Sequence, residues 1–354
     1  MPETSGVLLI NLGTPEAPTA RAVRAYLREF LSDPRVIDTG PLTRAALVQL
    51  LIAPFRAPRS ARQYRSVWTR EGSPLLVHGR ALADALAHAL GAAYRVELGM
   101  RYGRPSLAAA LERLVEAGVD RIHVVPLFPQ YAASSTGSAL QRVFEAAGGL
   151  WNVPPLDILP DFYDHPGFIA ALAAVTRPVL ENGRFDHLLL SYHGLPERQI
   201  RKSAPADPLC LTDPDCCLQL RPASRRCYRA QAFATSRALA RELGLERERW
   251  SVSFQSRLGR TPWIRPFTDH VLPELAGRGV RRLAVACPSF VADCLETLEE
   301  IGIRARLQWR EAGGESLELV PCVNAHPAWV DTLARMLRSR ALPAPGPNSE
   351  CSDP

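Results

Sequence analysis

Short apolar runs recur along this chain, and between them lie longer stretches with the 3.6-residue spacing of amphipathic helices. This alternation constrains the fold more than any other feature. A strand followed by a crossover helix returns parallel to its neighbour and must be covered on both faces. The runs Val7–Leu12, Val96–Tyr102, Ile122–Phe128, Leu156–Leu159, His187–Tyr192, Trp250–Phe254, Leu283–Cys287 and Leu317–Val320 read as strands. Helical spacing fills 19–31, 60–70, 78–90, 106–117, 138–147, 166–180, 227–243, 268–277, 293–302 and 327–338. Gly and Pro interrupt the pattern at GGLWNVPP, 148–155. The expected fold is α/β: two similar doubly wound (Rossmann-like) parallel-sheet domains around a central cleft. Residues 1–150 would form an N-terminal domain carrying the cleft lip, and 151–325 a C-terminal domain. A C-terminal helix at 326–341 and a disordered tail at 342–354 would follow.

Composition removes several classes. With 47% hydrophobic and 22% charged residues, the 354-residue chain is not wholly disordered, and it is long enough for two cores. No apolar run reaches the 18 or so residues needed to span a bilayer, and the start MPETSG has no basic leader. A cytoplasmic, reducing location is the expectation. Lys202 is the only lysine among 42 basic residues, and the net charge is +6. That balance reflects either coding bias or affinity for an anionic substrate or membrane surface. Nucleic acid is not expected, because no basic block interleaves with aromatics. Neither GxGxxG nor GxxxxGK[ST] occurs, so nucleotide chemistry has no support.

Polar residues gather just after the strand ends, at Asn11–Pro15, Arg101-Tyr102, Pro129–Tyr131, His193–Pro196 and Gln255–Arg257. In open α/β sheets those ends border the ligand crevice. His193 could take a proton or bind a divalent metal there, or could simply be a histidine satisfied at a strand end. Asp293, Glu296 and Glu300 fall at i, i+3 and i+7, on one face if 293–302 is a helix. Such a line could conduct protons or a hard cation, or could be a solvated first turn that complements the helix dipole. Four of the eight cysteines, Cys210, Cys216, Cys217 and Cys227, lie in one loop after His193. The adjacent pair suits a simple tetrahedral zinc site poorly, whereas four thiolates would satisfy a 2Fe-2S cluster.

Seven segments in order resemble the ferrochelatase family: LLINLGTPE (8–16), RQYRSVWTREGSPL (62–75), GMRYGRPSL (99–107), PLFPQYAASSTGSAL (126–140), SYHGLP (191–196), FQSRLGRTPWIRPFTD (254–269) and ADCLETLEEIG (292–302). The resemblance implies an enzyme, a lyase that inserts Fe2+ into protoporphyrin IX in the last step of haem synthesis. It implies that His193 is the proton acceptor or iron ligand and that Glu296 is the opposing carboxylate, with both as ligands of the substrate Fe2+. Asp293 and Glu300 would continue a proton or iron path. Leu12, Arg56, Tyr64, Ser73, Arg101, Tyr102, Ser135 and Trp263 fall on its porphyrin-binding segments. The four loop cysteines match the bacterial subgroup with an internal 2Fe-2S cluster, whereas the tail offers only Cys351. Cys294 stands where some members have a histidine. The segment PLTRAALVQLLIAPF, 41–55, resembles a lip that meets membranes, although its periodicity also reads as an ordinary buried helix. A homodimer is a further family expectation. The alternatives are a non-catalytic tetrapyrrole or metal carrier, and a chelatase for another tetrapyrrole such as coproporphyrin.

Overall fold

The structure is a computed structural model and describes residues 4–340 apart from 184, 214 and 260. The tail expected at 342–354, with Cys351, lies outside the described residues. Among the described residues eight strands occur: β1 (Ser5–Thr14), β2 (Tyr94–Gly103), β3 (Arg121–Pro126), β4 (Leu156–Ile158), β5 (His187–His193), β6 (Trp250–Gln255), β7 (Arg282–Ala286) and β8 (Ser316–Leu319). They form two four-stranded sheets, ordered β2-β1-β3-β4 and β6-β5-β7-β8. Every ladder is parallel. The two halves therefore share one topology, and the α/β fold of two doubly wound sheets is as expected. The Gly/Pro stretch 148–155 connects the helix ending at Ala147 to β4. Because β4 pairs with β3, the first sheet continues past residue 150.

The continuous apolar strands are explained by cover on both faces. Along β1, Val7 and Leu9 join one cluster while Leu8 and Ile10 join another. Along β5, Leu188, Leu190 and Tyr192 join the first of these clusters and Leu189 a third. This is the period-two alternation of a strand, with apolar residues on both sides. The cluster shared by β1 and β5 also contains Leu82, Leu86, Phe168, Trp329 and Leu333, so helices between and after the sheets weld the halves into one core. At full burial each such Leu or Phe contributes roughly 1.5–3 kcal/mol.

Two helical expectations need correction. The 41–55 segment is not a buried helix. It is helical but exposed, running as an α-helix (Pro41–Ala46) and a π-helix (Leu47–Ile52) into the helix Ala53–Val67. Leu42, Leu50, Leu51 and Phe55 are 88%, 69%, 57% and 76% exposed. The segment has more apolar residues than one face can bury, and only Val48 and Ala53 within it are fully covered. The helix expected at 293–302 is also interrupted. Its first α-turn is Leu295–Leu298, capped by Cys294 in extended conformation, and a π-helix follows at Glu300–Ala305. Asp293 therefore precedes the helix and does not share its face.

Candidate active site

The C-terminal ends of β1 and β5 point to the same cleft, and each position there has a local cause. β5 ends at His193, whose ladder partner on β6 is Gln255. Gly194 packs under that partner. A Cβ added at Gly194 would stand 2.8 Å from the Gln255 carbonyl and 3.3 Å from the Trp263 ring, so only glycine fits. Trp263 is thereby fixed beside His193, and its indole N–H donates to the Leu258 carbonyl at 2.8 Å. The His193 backbone N–H donates to Ser289 Oγ at 3.2 Å, and the Phe290 ring stands edge-on at 6.3 Å. The Nδ1 of His193 lies 2.7 Å from the Gly194 carbonyl oxygen. A carbonyl only accepts, so Nδ1 carries the hydrogen and Nε2 of the neutral ring is left with its lone pair.

Gln255 also ties the acidic helix to this spot. Its Nε2 donates to the Glu296 carbonyl at 2.7 Å, while its Oε1 accepts from Ser191 at 2.7 Å. Glu296 is half-buried. Its charge is felt across the cleft by Tyr64, whose phenol burial pushes up first and Glu296 second. Glu300 lies one turn further along. Ser256 donates to it twice, from N at 2.9 Å and from Oγ at 2.6 Å. Burial pushes the Glu300 carboxyl above the usual range, opposed by the Ser256 hydrogen bonds and by the positive charge of Arg304. A polar cavity of about 200 Å³ opens behind Glu300 and is also lined by Ser256, Arg257, Asp269 and Arg304. Asp293 does not join this pair. It is 5% exposed and accepts from Thr297 Oγ1 (3.0 Å), Asn324 Nδ2 (2.8 Å) and Cys322 N (3.3 Å), so it holds the turn that precedes the helix.

The opposite wall comes from the first sheet. Leu12 packs with Tyr64, Trp68 and Leu295 in one apolar cluster, which brings it against the acidic helix. Ser73 is 3% exposed and accepts from Thr14 Oγ1 at 2.7 Å, so its hydroxyl is engaged inside the wall. Arg56 has no salt-bridge partner among the described residues, and burial together with Arg59 pulls its pKa down. Ser135 is half-buried in the π-turn Ala133–Gly137. Arg101 and Tyr102 depart from expectation. The Arg101 guanidinium binds Asp33 at 2.6 Å and Ser138 Oγ at 2.6 Å. The Tyr102 hydroxyl donates to Asp33 at 2.9 Å, and its ring has 0% exposure. A ring without exposed surface cannot lie against a macrocycle, so Tyr102 braces the lip, while Arg101 keeps some exposed surface.

The four loop cysteines are 6%, 5%, 4% and 2% exposed in chain order. The sulfurs of Cys216 and Cys217 are 3.6 Å apart, and Arg229 donates to Cys217 Sγ at 3.0 Å. Cys217 is held up by its hydrogen bond to Cys227 and by burial, while that bond draws Cys227 down. Among the described residues, no three His, Cys, Asp or Glu side chains are grouped so as to hold a metal ion. The sequence named Gln255 and Ser256 only as polar residues at a strand end. It missed Asp33, for which no spacing rule exists.

This two-sheet arrangement is found in chelatases. The sirohydrochlorin chelatase SirB from Bacillus subtilis subspecies spizizenii, solved in complex with cobalt, superposes with a TM-score of 0.53 over 95% of this chain and 94% of that one, at 11% identity. SirB from Bacillus subtilis with Fe3+ gives 0.53 at 12% identity, covering 95% of each chain. At such identity the likeness concerns the fold alone. Sequence goes further. The ferrochelatase family model matches residues 4–341. A ferrochelatase of Legionella pneumophila subsp. pneumophila (strain Philadelphia 1) is 47% identical over 335 residues, 95% of this chain and 99% of that protein. One from Coxiella burnetii (strain CbuK_Q154) is 47% identical over 333 residues, 94% of this chain and 93% of that protein. The chain belongs to the ferrochelatase family, lyases that insert iron into a porphyrin.

Proposed function

We propose that this protein inserts Fe2+ into protoporphyrin IX, with His193 as proton acceptor and metal ligand and Glu296 as the facing carboxylate. The observation that carries this reading is the His193 Nδ1–H bond to the Gly194 carbonyl, which presents Nε2 as a base at the cleft. The reaction breaks two pyrrole N–H bonds and forms the iron–nitrogen bonds, with two protons released and no electron transferred. His193 takes a proton from the macrocycle. Glu296 and then Glu300, with its raised carboxyl, pass protons toward the cavity behind Ser256. Arg56 suits a porphyrin propionate, because a partly desolvated guanidinium without a carboxylate partner favours an anion. Leu12 and Trp263 supply apolar contact, and Ser73, Tyr64 and Ser135 shape the walls.

Anaerobic incubation with Fe2+ and, separately, protoporphyrin, coproporphyrin or sirohydrochlorin tests this by loss of tetrapyrrole fluorescence. Protoporphyrin should turn over fastest. Preference for coproporphyrin would overturn the substrate assignment, and tight binding without turnover would indicate a carrier.

The same reading includes a 2Fe-2S cluster on Cys210, Cys216, Cys217 and Cys227. Its support is four buried sulfurs in one loop, with the positive charge of Arg229 against one of them. When bound, it would cross-link the loop and add a one-electron centre. Iron and inorganic sulfide near two per chain are expected, and colourless zinc-loaded protein would contradict it. Exposed Leu42, Leu50, Leu51 and Phe55, with Arg44 and Arg59 nearby, support peripheral membrane contact. Among the described residues no helix is long and apolar enough to cross a membrane. Cytoplasmic location is carried by cysteine usage, and the homodimer by family resemblance. We divide the chain after β4, which extends the expected N-terminal domain by one strand.

A further inference from the structure

We infer that Asp38 is a positioning residue for metal insertion: it clasps Arg198 and Lys202, and so sets the spacing between the two walls of the cleft. The inference rests on the reading of the cleft above.

Residues 33–38 form a strap with one end in each half. At its first end, Asp33 accepts from Arg101, Tyr102 and Ser138 of the first half, and its backbone carbonyl accepts from Val36 N and Ile37 N at 3.0 Å. At its second end, Asp38 accepts from Arg198 Nε at 2.6 Å through Oδ1 and from Lys202 Nζ at 2.6 Å through Oδ2. Arg198 and Lys202 lie one turn apart on the helix Glu197–Ser203, which begins directly after His193–Pro196. Gln199 on the same helix donates to the Val36 carbonyl at 3.2 Å. Three side chains of this helix thus grip the strap. Val36 and Ile37, between its ends, pack on the cluster that holds Leu12 and Tyr64. The strap therefore touches the porphyrin wall and pulls on the segment that follows the base.

An exposed ion pair would carry little, with a median near 0–1 kcal/mol. This one is different in three respects. The Asp38 side chain is only 11% exposed, it meets two cations, and its neighbours add backbone-directed hydrogen bonds. Arg198 and Lys202 hold its carboxyl down at about 2, opposing burial, so the clasp stays charged at any working pH. The other anchor of the His193 segment is fixed within its own half, where Leu195 O accepts from Ile264 N at 3.0 Å and Pro262 O accepts from Glu197 N at 3.0 Å. Asp38 supplies the charged connection between the strap and this segment, in addition to the hydrogen bonds that Gln63 donates to Glu299 at 3.2 Å. The sole lysine of the chain falls here, where a compact ammonium reaches the second carboxylate oxygen beside an arginine on the first.

The test is steady-state kinetics on the full chain with porphyrin and Fe2+ varied separately. Asp38→Asn should raise the porphyrin KM about ten-fold and leave the Fe2+ KM unchanged, since a misplaced wall weakens macrocycle contacts alone. Asp38→Glu should recover most of the loss. Arg198→Met with Lys202→Met should reproduce the Asp38→Asn effect, and combining all three changes should add little. That cation-side variant also serves if Asp38→Asn does not fold. An unchanged porphyrin KM in both variants, or a proportionate fall in kcat with both KM values fixed, overturns the inference. His193→Ala measured alongside separates the two readings. If it is inactive while Asp38→Asn behaves as wild type, only the clasp is wrong; if it is fully active, the cleft assignment itself fails.

Discussion

The two halves of this protein share a strand order, yet their strand ends do different work. At the end of β1, Leu12 is packed in an apolar cluster and Thr14 is engaged with Ser73 inside the wall. At the end of β5, His193 offers a free ring nitrogen, and the helix after β7 brings Glu296 and Glu300 beside it. In the function proposed above, one sheet edge would hold a flat apolar ligand while the other would supply the titratable groups. On that proposal the scaffold fixes where a ligand lies, and a few side chains at the strand ends decide which wall is reactive.

That division can be broken experimentally. The largest loss after His193 is expected at Glu296. Glu296→Gln should lower kcat about 100-fold with little change in porphyrin KM, because it removes a proton-accepting group and no binding contact. A comparable loss from Leu12→Ala would erase the distinction between the walls. On the holding wall, Arg56→Ala should instead raise porphyrin KM about ten-fold with kcat nearly unchanged, the cost of one charge-assisted hydrogen bond. An equal fall in kcat would move Arg56 to the reactive side.

Glu300 gives a smaller effect with opposite signs in activity and stability. Its carboxyl is pushed up in the folded state, so its contribution is fully present below the ordinary value of 4.5 and is lost as pH rises through the folded value. At neutral pH the ionised form therefore destabilises the fold. Glu300→Gln should melt about 2 °C higher near pH 7 while turning over several-fold more slowly. A melting point that drops would show that the Ser256 bonds outweigh burial. The smallest effect concerns scaffold alone. Burial, assisted by Arg278, pulls His187 from 6.5 to about 4. Stability should be complete above pH 6.5 and fall as pH drops toward 4, and His187→Gln should flatten that slope without altering kcat at neutral pH.

The strands were legible because both faces of each sheet are covered, which turns β1 and β5 into unbroken apolar runs. The position of His193 was legible too, since a His-Gly step after such a run sits at a crevice edge. The acidic helix was not. Spacing assumed one straight helix from Asp293, but the Cys294 cap and the π-helix at Glu300–Ala305 break the period, and no composition rule signals either. Arg101 and Tyr102 were misjudged for a related reason. Their partner Asp33 lies 68 and 69 positions away, so the contact that engages Arg101 and buries Tyr102 is set by tertiary packing. The exposed apolar 41–55 segment shows the same limit, because its periodicity is consistent with burial that the rest of the fold does not provide.

The assignment of the reactive wall is tested most directly by the single-turnover rate of Fe2+ insertion into protoporphyrin by His193→Ala, under anaerobic conditions and with its melting point checked. The rate should fall at least about 100-fold while porphyrin binding and melting stay near those of the unaltered protein. Insertion at the unaltered rate would mean that His193 neither takes the proton nor binds the metal.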